Sequence, residues 1–246
     1  MNMTVRYRNK LIEVYNYLQE QGFEPIYISL YGSQNYKLDD ENSDFDYKAF
    51  VKPTRMQVYR GEMTIKTLDY QGGQIEVRDF RLITDQLGKM NPHFIELFVA
   101  PNYWVDGYYA QHFHRIRELI AELLQDRFVV FTRACCGACV DAYNKMLTED
   151  GYNPKKLYTI ARLYHLYSNV CDCKGFVLVN TGTTQRLLQD LKAGICKKEE
   201  AVELAQYYVS LMKREKKEVE EQNNYIDEHS LNKVEEMLID LFSLIY

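Results

Sequence analysis

An α/β (α+β) fold, with a mixed-sheet lobe followed by a helical C-terminal lobe, is predicted by three features of the 246-residue chain. Within the first eighty or so residues, short apolar runs bounded by glycine, proline and aspartate follow one helical stripe, as strands do. From Tyr109 onward, apolar residues recur instead at helical spacing. Between these regions, Pro101 to Gly107 reads as a loop holding the only tryptophan, Trp104. The boundary is placed there, giving domains of residues 1–105 and 106–246.

Arg8 to Gln19 carries Leu11, Ile12, Val14, Tyr15 and Leu18 on one stripe, and Gly22 ends that helix. It should pack on a strand from Pro25 to Leu30. A second strand runs from Phe45 to Val51, with Pro53 ending its pairing. Met63–Tyr70 and Gln74–Phe80 read as two strands joined at Gln71-Gly72-Gly73. Leu82 to Met90 is predicted helical, and Asn91-Pro92 opens a further helix. There Glu96 lies among Phe94, Ile95, Leu97 and Phe98, where a carboxylate is costly unless hydrogen-bonded. It is read, with Asn91, as a brace for the neighbouring strands. In the helical lobe, Phe113 to Leu124 and Phe128 to Met146 form successive helices. Asn153 and Pro154 start another, and Ala193-Gly194 closes the one carrying Arg186. Lys198 to Gln222 forms a long charged helix whose Lys213–Lys217 block reads as a solvated face, and Ser230 to Ile245 is the last helix.

With 46% hydrophobic and 26% charged residues, the composition is that of an ordinary soluble domain. A net charge of -5 argues against a general nucleic-acid coating protein, although it leaves room for a local basic groove. No apolar run approaches the roughly 18 residues that span a bilayer, and MNMTVRYRNK has no signal-like apolar core, so a cytoplasmic protein with no membrane partner is expected. Oligomeric state is left open. The six cysteines lack paired C-x-x-C spacing and are read as reduced thiols, mostly in a helical core. The 21 tyrosines are unusually many and are read mainly as half-buried packing.

The stretch richest in chemistry is LYGSQNYKLDDENSDFDYK, Leu30 to Lys48. If Asp44 and Asp46 share a strand, their carboxylates share a face while Phe45 and Tyr47 face a core. Two ionised carboxylates repel by roughly 4 kcal/mol at about 4 Å with an effective dielectric near 20, so a cation between them is favoured. Hard oxygen donors completed by a phosphate suit Mg²⁺. Gly32 allows close backbone approach, and its N–H with the Ser33 hydroxyl can cradle an anion. A merely solvated acidic loop from Asp39 to Asp46 is the bland alternative. Lys48 reads either as a phosphate ligand or as a surface lysine.

Gly32-Ser33, ten residues, then Asp44-Phe45-Asp46 resembles the signature of the DNA polymerase beta-like nucleotidyltransferase superfamily. With Asn91-Pro92, Glu96-Leu97, Gly151 to Lys155 and Arg162, the chain is more narrowly similar to bacterial and phage nucleotidyltransferases, some linked to RNA repair. The resemblance implies a third acid on a neighbouring strand that completes the metal site and draws the proton from the attacking hydroxyl. Glu76, in Ile75-Glu76-Val77, and Asp79, in Asp79-Phe80-Arg81, both fit. Three residues apart on a strand, they face opposite ways, so only one is expected at the metals, with Glu76 preferred and Asp79 otherwise a helix cap. Lys155 and Arg162, seven apart, share a helix face; lysines at a helix N-terminus are unfavourable unless an anion is near, and the pair is read as a triphosphate clamp.

The resemblance therefore implies two Mg²⁺ ions, with Mn²⁺ as an alternative, on Asp44, Asp46 and Glu76 or Asp79. The substrate would be an NTP, with ATP as one candidate, and the site would lie in a cleft between the lobes. The expected acceptor is an RNA 3′ end, that of tRNA, because the resemblance points towards RNA repair and the many tyrosines offer stacking surfaces. A protein hydroxyl, as in toxin-like nucleotidyltransferases, and a non-catalytic nucleotide sensor are the alternatives.

Overall fold

The computed structural model describes residues 3–39, 44–148, 151–222 and 226–245. In chain order the sheet region comprises helix α1 (Met3–Glu20), strand β1 (Glu24–Tyr31), a 3-10 turn (Gly32–Tyr36), β2 (Asp46–Lys52) and α2 (Arg55–Arg60). It continues with β3 (Ile65–Tyr70), β4 (Gly73–Asp79), a 3-10 turn (Phe80–Leu82), α3 (Ile83–Gly88), α4 (Pro92–Val99) and β5 (Tyr103–Val105). Then follow α5 (Ala110–Asp126), α6 (Phe128–Asn144), the short strands β6 (Leu147–Thr148) and β7 (Gly151–Tyr152), α7 (Pro154–Cys171), α8 (Gly182–Lys192), α9 (Lys198–Gln222) and α10 (His229–Ile245).

The chain is thus α/β: a mixed five-stranded sheet with helices, followed by a mostly helical region. Strand order is β3-β4-β2-β1-β5; β2 and β4 run parallel, and every other pairing in this sheet is antiparallel. Alternation sorts side chains between the faces. Ile28, Leu30, Tyr47, Ala49, Ile75 and Val77 meet Leu11, Val14 and Leu18 of α1 in one buried layer. On the opposite face Tyr27 and Phe50 stack with Phe98 of α4, their centroids 5.7 and 5.9 Å from its ring, and Tyr27 lies 4.8 Å from Phe113 of α5. Most of the tyrosines with ring contacts serve in such packing, consistent with the structural reading of their abundance.

Several elements depart from the sequence expectation, the short strands β6 and β7 among them. Residues 103–105, expected in a loop, pair with β1, and Trp104 packs against Tyr15 at 4.4 Å. Helix α2 was not anticipated, although Thr54 and Gln57 form a reciprocal capping box and Gly61 supplies its left-handed end.

By packing, one compact unit contains residues 1–88, 93–120 and 229–246, and the other contains residues 89–92 and 121–228. The cut at 105/106 therefore differs from the packing division, which groups residues 106–120 and α10 with the sheet. Within that unit Phe80 approaches Phe242 at 6.4 Å, and an added methyl at Gly88 would lie 3.2 Å from Leu231. The helical unit buries Cys135, Cys136 and Cys139 on α6, while Cys171 and Cys173 are exposed; all six cysteines are free thiols. Burial raises the Cys135 thiol well above its ordinary range and pushes Cys139 up to about 12, so neither is primed as a thiolate. Among the described residues, no helix is long and apolar enough to cross a membrane.

Candidate active site

The candidate site lies where β1 ends. Gly32 leaves the strand with φ 83° and opens the 3-10 turn, and Lys37 closes it in the left-handed region. Glu96 of α4 holds this turn from within the fold and is 0% exposed. The Gly32 N–H donates to Glu96 Oε1 at 3.1 Å, Asn35 Nδ2 donates to the same oxygen at 3.0 Å, and the Tyr36 hydroxyl donates to Oε2 at 2.8 Å. Asn35 also donates to the Leu30 carbonyl at 2.8 Å, tying the turn back to its strand. Glu96 is thus a brace, as expected. It also engages the Gly32 N–H that had been read as a phosphate donor, so Ser33, partly exposed, is the better candidate for that role.

The two aspartates occupy different settings. Asp46 is the first residue of β2, opposite Tyr31, whereas Asp44 is exposed and precedes the strand. The expectation that both belong to one strand is corrected accordingly: β1 turns away after Tyr31, leaving Asp44 without a ladder partner. Residues 40–43 of the acidic loop lie outside the described residues. Phe45 faces the α1 layer as expected, with the Lys10 ammonium 4.1 Å from its ring centroid.

Three glycines surround this pair. An added methyl would lie 3.7 Å from Asp46 Oδ2 at Gly32 and 3.3 Å from Asp44 Oδ1 at Gly72, whose φ is 90°. At Gly73 it would lie 2.2 Å from the Phe45 carbonyl oxygen, inside contact distance. The Gly72-Gly73 doublet, read from the sequence only as a hairpin turn, therefore lets β4 pass against the backbone between the two acids. In addition, the Gln74 N–H donates to Asp46 Oδ1 at 3.1 Å.

The parallel register aligns Lys48 with Glu76, which puts Asp46, Lys48 and Glu76 on the same sheet face. Lys48 is 7% exposed, so the surface-lysine reading is corrected. Its ammonium lies 3.5 Å from Glu76 and 4.0 Å from the Tyr31 ring centroid. Burial lowers the Lys48 pKa, with nearby Glu76 and Glu96 opposing that shift. Arg78, unrecognised in the sequence reading although two residues on and so on the same face, lies 3.2 Å from the Glu76 carboxylate. Asp79 faces the other way and is 0% exposed. It accepts hydrogen bonds from Arg81 Nε and Nη2 at 2.9 and 2.8 Å and caps the next turn through the Arg81 N–H. Its arrangement is that of the alternative cap, paired with an arginine.

Asp44, Asp46 and Glu76 carry oxygen donors of the hard type that suits Mg²⁺; Asp44 is exposed, and Asp46 and Glu76 are partly exposed. Among the described residues no group of three histidine, cysteine, aspartate or glutamate side chains forms a ready metal cage. Asp44, Asp46 and Glu76 therefore do not by themselves form a metal-holding group.

In the helical unit, Asn153 caps α7 by accepting the Lys155 N–H at 3.0 Å, with Pro154 in the first turn as expected. Lys155 is exposed, whereas Arg162 is 6% exposed, with its guanidinium 5.6 Å from the Tyr158 ring centroid. They are not equally accessible members of a surface clamp: burial separates their settings despite the helical spacing. Comparison with protein-family models and with curated proteins finds no match to this chain.

Proposed function

We propose that the chain is a Mg²⁺-dependent nucleotidyltransferase that moves a nucleoside monophosphate from an NTP to an acceptor hydroxyl, releasing pyrophosphate. The observation that carries this reading is the braced Gly32-Ser33 turn beside Asp46, with Glu76 on the same sheet face. Asp44, Asp46 and Glu76 would hold the metal, whose positive charge would stabilise charge developing on the transferred phosphate. Ser33 would bind phosphate oxygens, and Lys155 would be the accessible cation of the expected pair. Glu76, within reach of Lys48 and Arg78, is the favoured general base for the acceptor hydroxyl. Asp79 is assigned a structural role. An RNA 3′ end, of tRNA type, is the proposed acceptor, a choice supported by the family resemblance.

Purified protein, Mg²⁺, α-phosphate-labelled NTPs and a mixture of RNA and cell lysate should yield labelled RNA. Label should vanish with Asp44→Asn or Asp46→Asn. Glu76→Gln should abolish transfer in a chain that circular dichroism shows to be folded, with some loss of melting temperature because buried Lys48 loses a charge partner, and Asp79→Asn should also lower the melting temperature. An active Asp46→Asn enzyme would sink the mechanism. Mutant-sensitive label in a protein band would favour the toxin-like reaction, and Mg-NTP binding without transfer would favour a sensor.

A further inference from the structure

Helices α6 and α9 border a groove in the helical unit with a cavity of about 430 Å³. From α9 come Lys213, Lys216, Lys217 and Glu220, at the i, i+3, i+4 and i+7 spacing of one helix face. Arg133 faces them from α6, above a floor that includes Gly137 and Val140. The lining therefore carries four cations and one carboxylate. That carboxylate, Glu220, lies 2.6 Å from Arg133 Nε and 4.0 Å from Lys216, leaving a surplus of positive charge. Lys217 also has an exposed partner, Glu221, at 3.8 Å. Glu215 and Glu218 are within 3.3 and 3.7 Å of Arg214, which does not line the groove.

Gly137 lies on the α6 side of the groove. A glycine inside a helix is destabilising relative to alanine. Gly137 is exposed, and an added methyl there would meet nothing within 4 Å. Packing does not require it. Among the described residues, no aromatic side chain lines the groove to anchor a protein partner. Point charges without such an anchor match sequence-independent contacts to a phosphate backbone.

We infer that the α6–α9 groove is a binding track for the phosphodiester backbone of RNA. This deepens the function proposed above: the choice of RNA among polyanions rests on that acceptor reading, whereas the excess positive charge does not. It also revises the sequence expectation that Lys213 to Lys217 form only a solvated face.

The test measures binding of the full chain to a fluorescent RNA hairpin with a single-stranded 3′ end, by anisotropy over a KCl series. Combining Lys213→Ala, Lys216→Ala and Lys217→Ala should weaken binding about tenfold or more and reduce the salt slope by about two. Glu220→Gln should tighten binding, and Gly137→Glu should weaken it. Gly137→Ala, which only adds a methyl, should raise the melting temperature and retain binding. Circular dichroism verifies folding of each variant. An unchanged affinity and salt slope in the triple-lysine variant, or no RNA binding by the parent chain, would overturn the inference. Equal lysine-dependent binding of polyglutamate would overturn RNA as the specific class. RNA binding that survives Asp44→Asn/Asp46→Asn, is lost in the lysine variant and accompanies no label transfer would support the track while refuting the transferase reading.

Discussion

Glu96 shows how one residue sets the local structure of the candidate site. A buried carboxylate surrounded by phenylalanine, isoleucine and leucine needs donors, and Gly32, Asn35 and Tyr36 supply them. Replacing one carboxylate oxygen with an amide NH₂ in Glu96→Gln turns a donor toward donors. The expected cost is about 1–3 kcal/mol, read from urea denaturation, with faster hydrogen exchange at Gly32. The need for a partner was legible in the apolar run around Glu96. Which partner was not, because these donors lie 60 to 64 residues away in sequence. Lys48 presents the same limit: its identity marked a potential charge, but its burial depends on β1, β2 and β4 lying together.

At the scale of elements, periodicity located β1, α9 and α10 closely, because each has a continuous local pattern or clear end signals. β2 starts later than expected because pairing ends where β1 turns, while β5 consists of only three residues and gains its strand character through β1. The missed α2 is different, since its Thr54–Gln57 capping box is a local signal. Helices α7 and α9 support a pH prediction. His165 Nε2 lies 3.3 Å from the Tyr208 hydroxyl, and burial lowers the His165 pKa from its ordinary value of 6.5. The depressed folded-state value means that the unfolded chain binds the proton more readily. Its stability contribution is therefore present above pH 6.5 and declines as pH falls through 6.5 toward the lower folded value. Urea titrations at successive pH values should show this decline, and His165→Gln should reduce its amplitude.

At the scale of the molecule, chain order and packing differ. The sheet-containing unit combines early residues with α10, whose Val234, Leu238 and Leu241 are buried. Truncation after residue 228 should expose apolar surface around Phe80 and Gly88, lower the melting temperature and reduce hydrogen-exchange protection in the sheet. Unchanged protection throughout β1, β2 and β4 would show that α10 is dispensable to that unit. Such dependence would also distinguish the packing division from an autonomous N-terminal domain ending near residue 105.

The sequence by itself determined the α/β class, most helix positions and the candidate Gly-Ser and aspartate motif, because spacing, alternation and capping act over a few neighbouring residues. It also made Glu76 and Asp79 incompatible on one strand face. Only the tertiary structure decided that Glu76 aligns with Lys48 on the sheet face of Asp46, that Asp79 belongs to Arg81, and that Gly73 gives close passage to Phe45. Those outcomes depend on strand register and steric contact between distant segments, which local side-chain patterns do not specify. The groove between α6 and α9 follows the same division: each helix has its own pattern, and packing sets Arg133 of α6 opposite Lys213, Lys216 and Lys217 of α9.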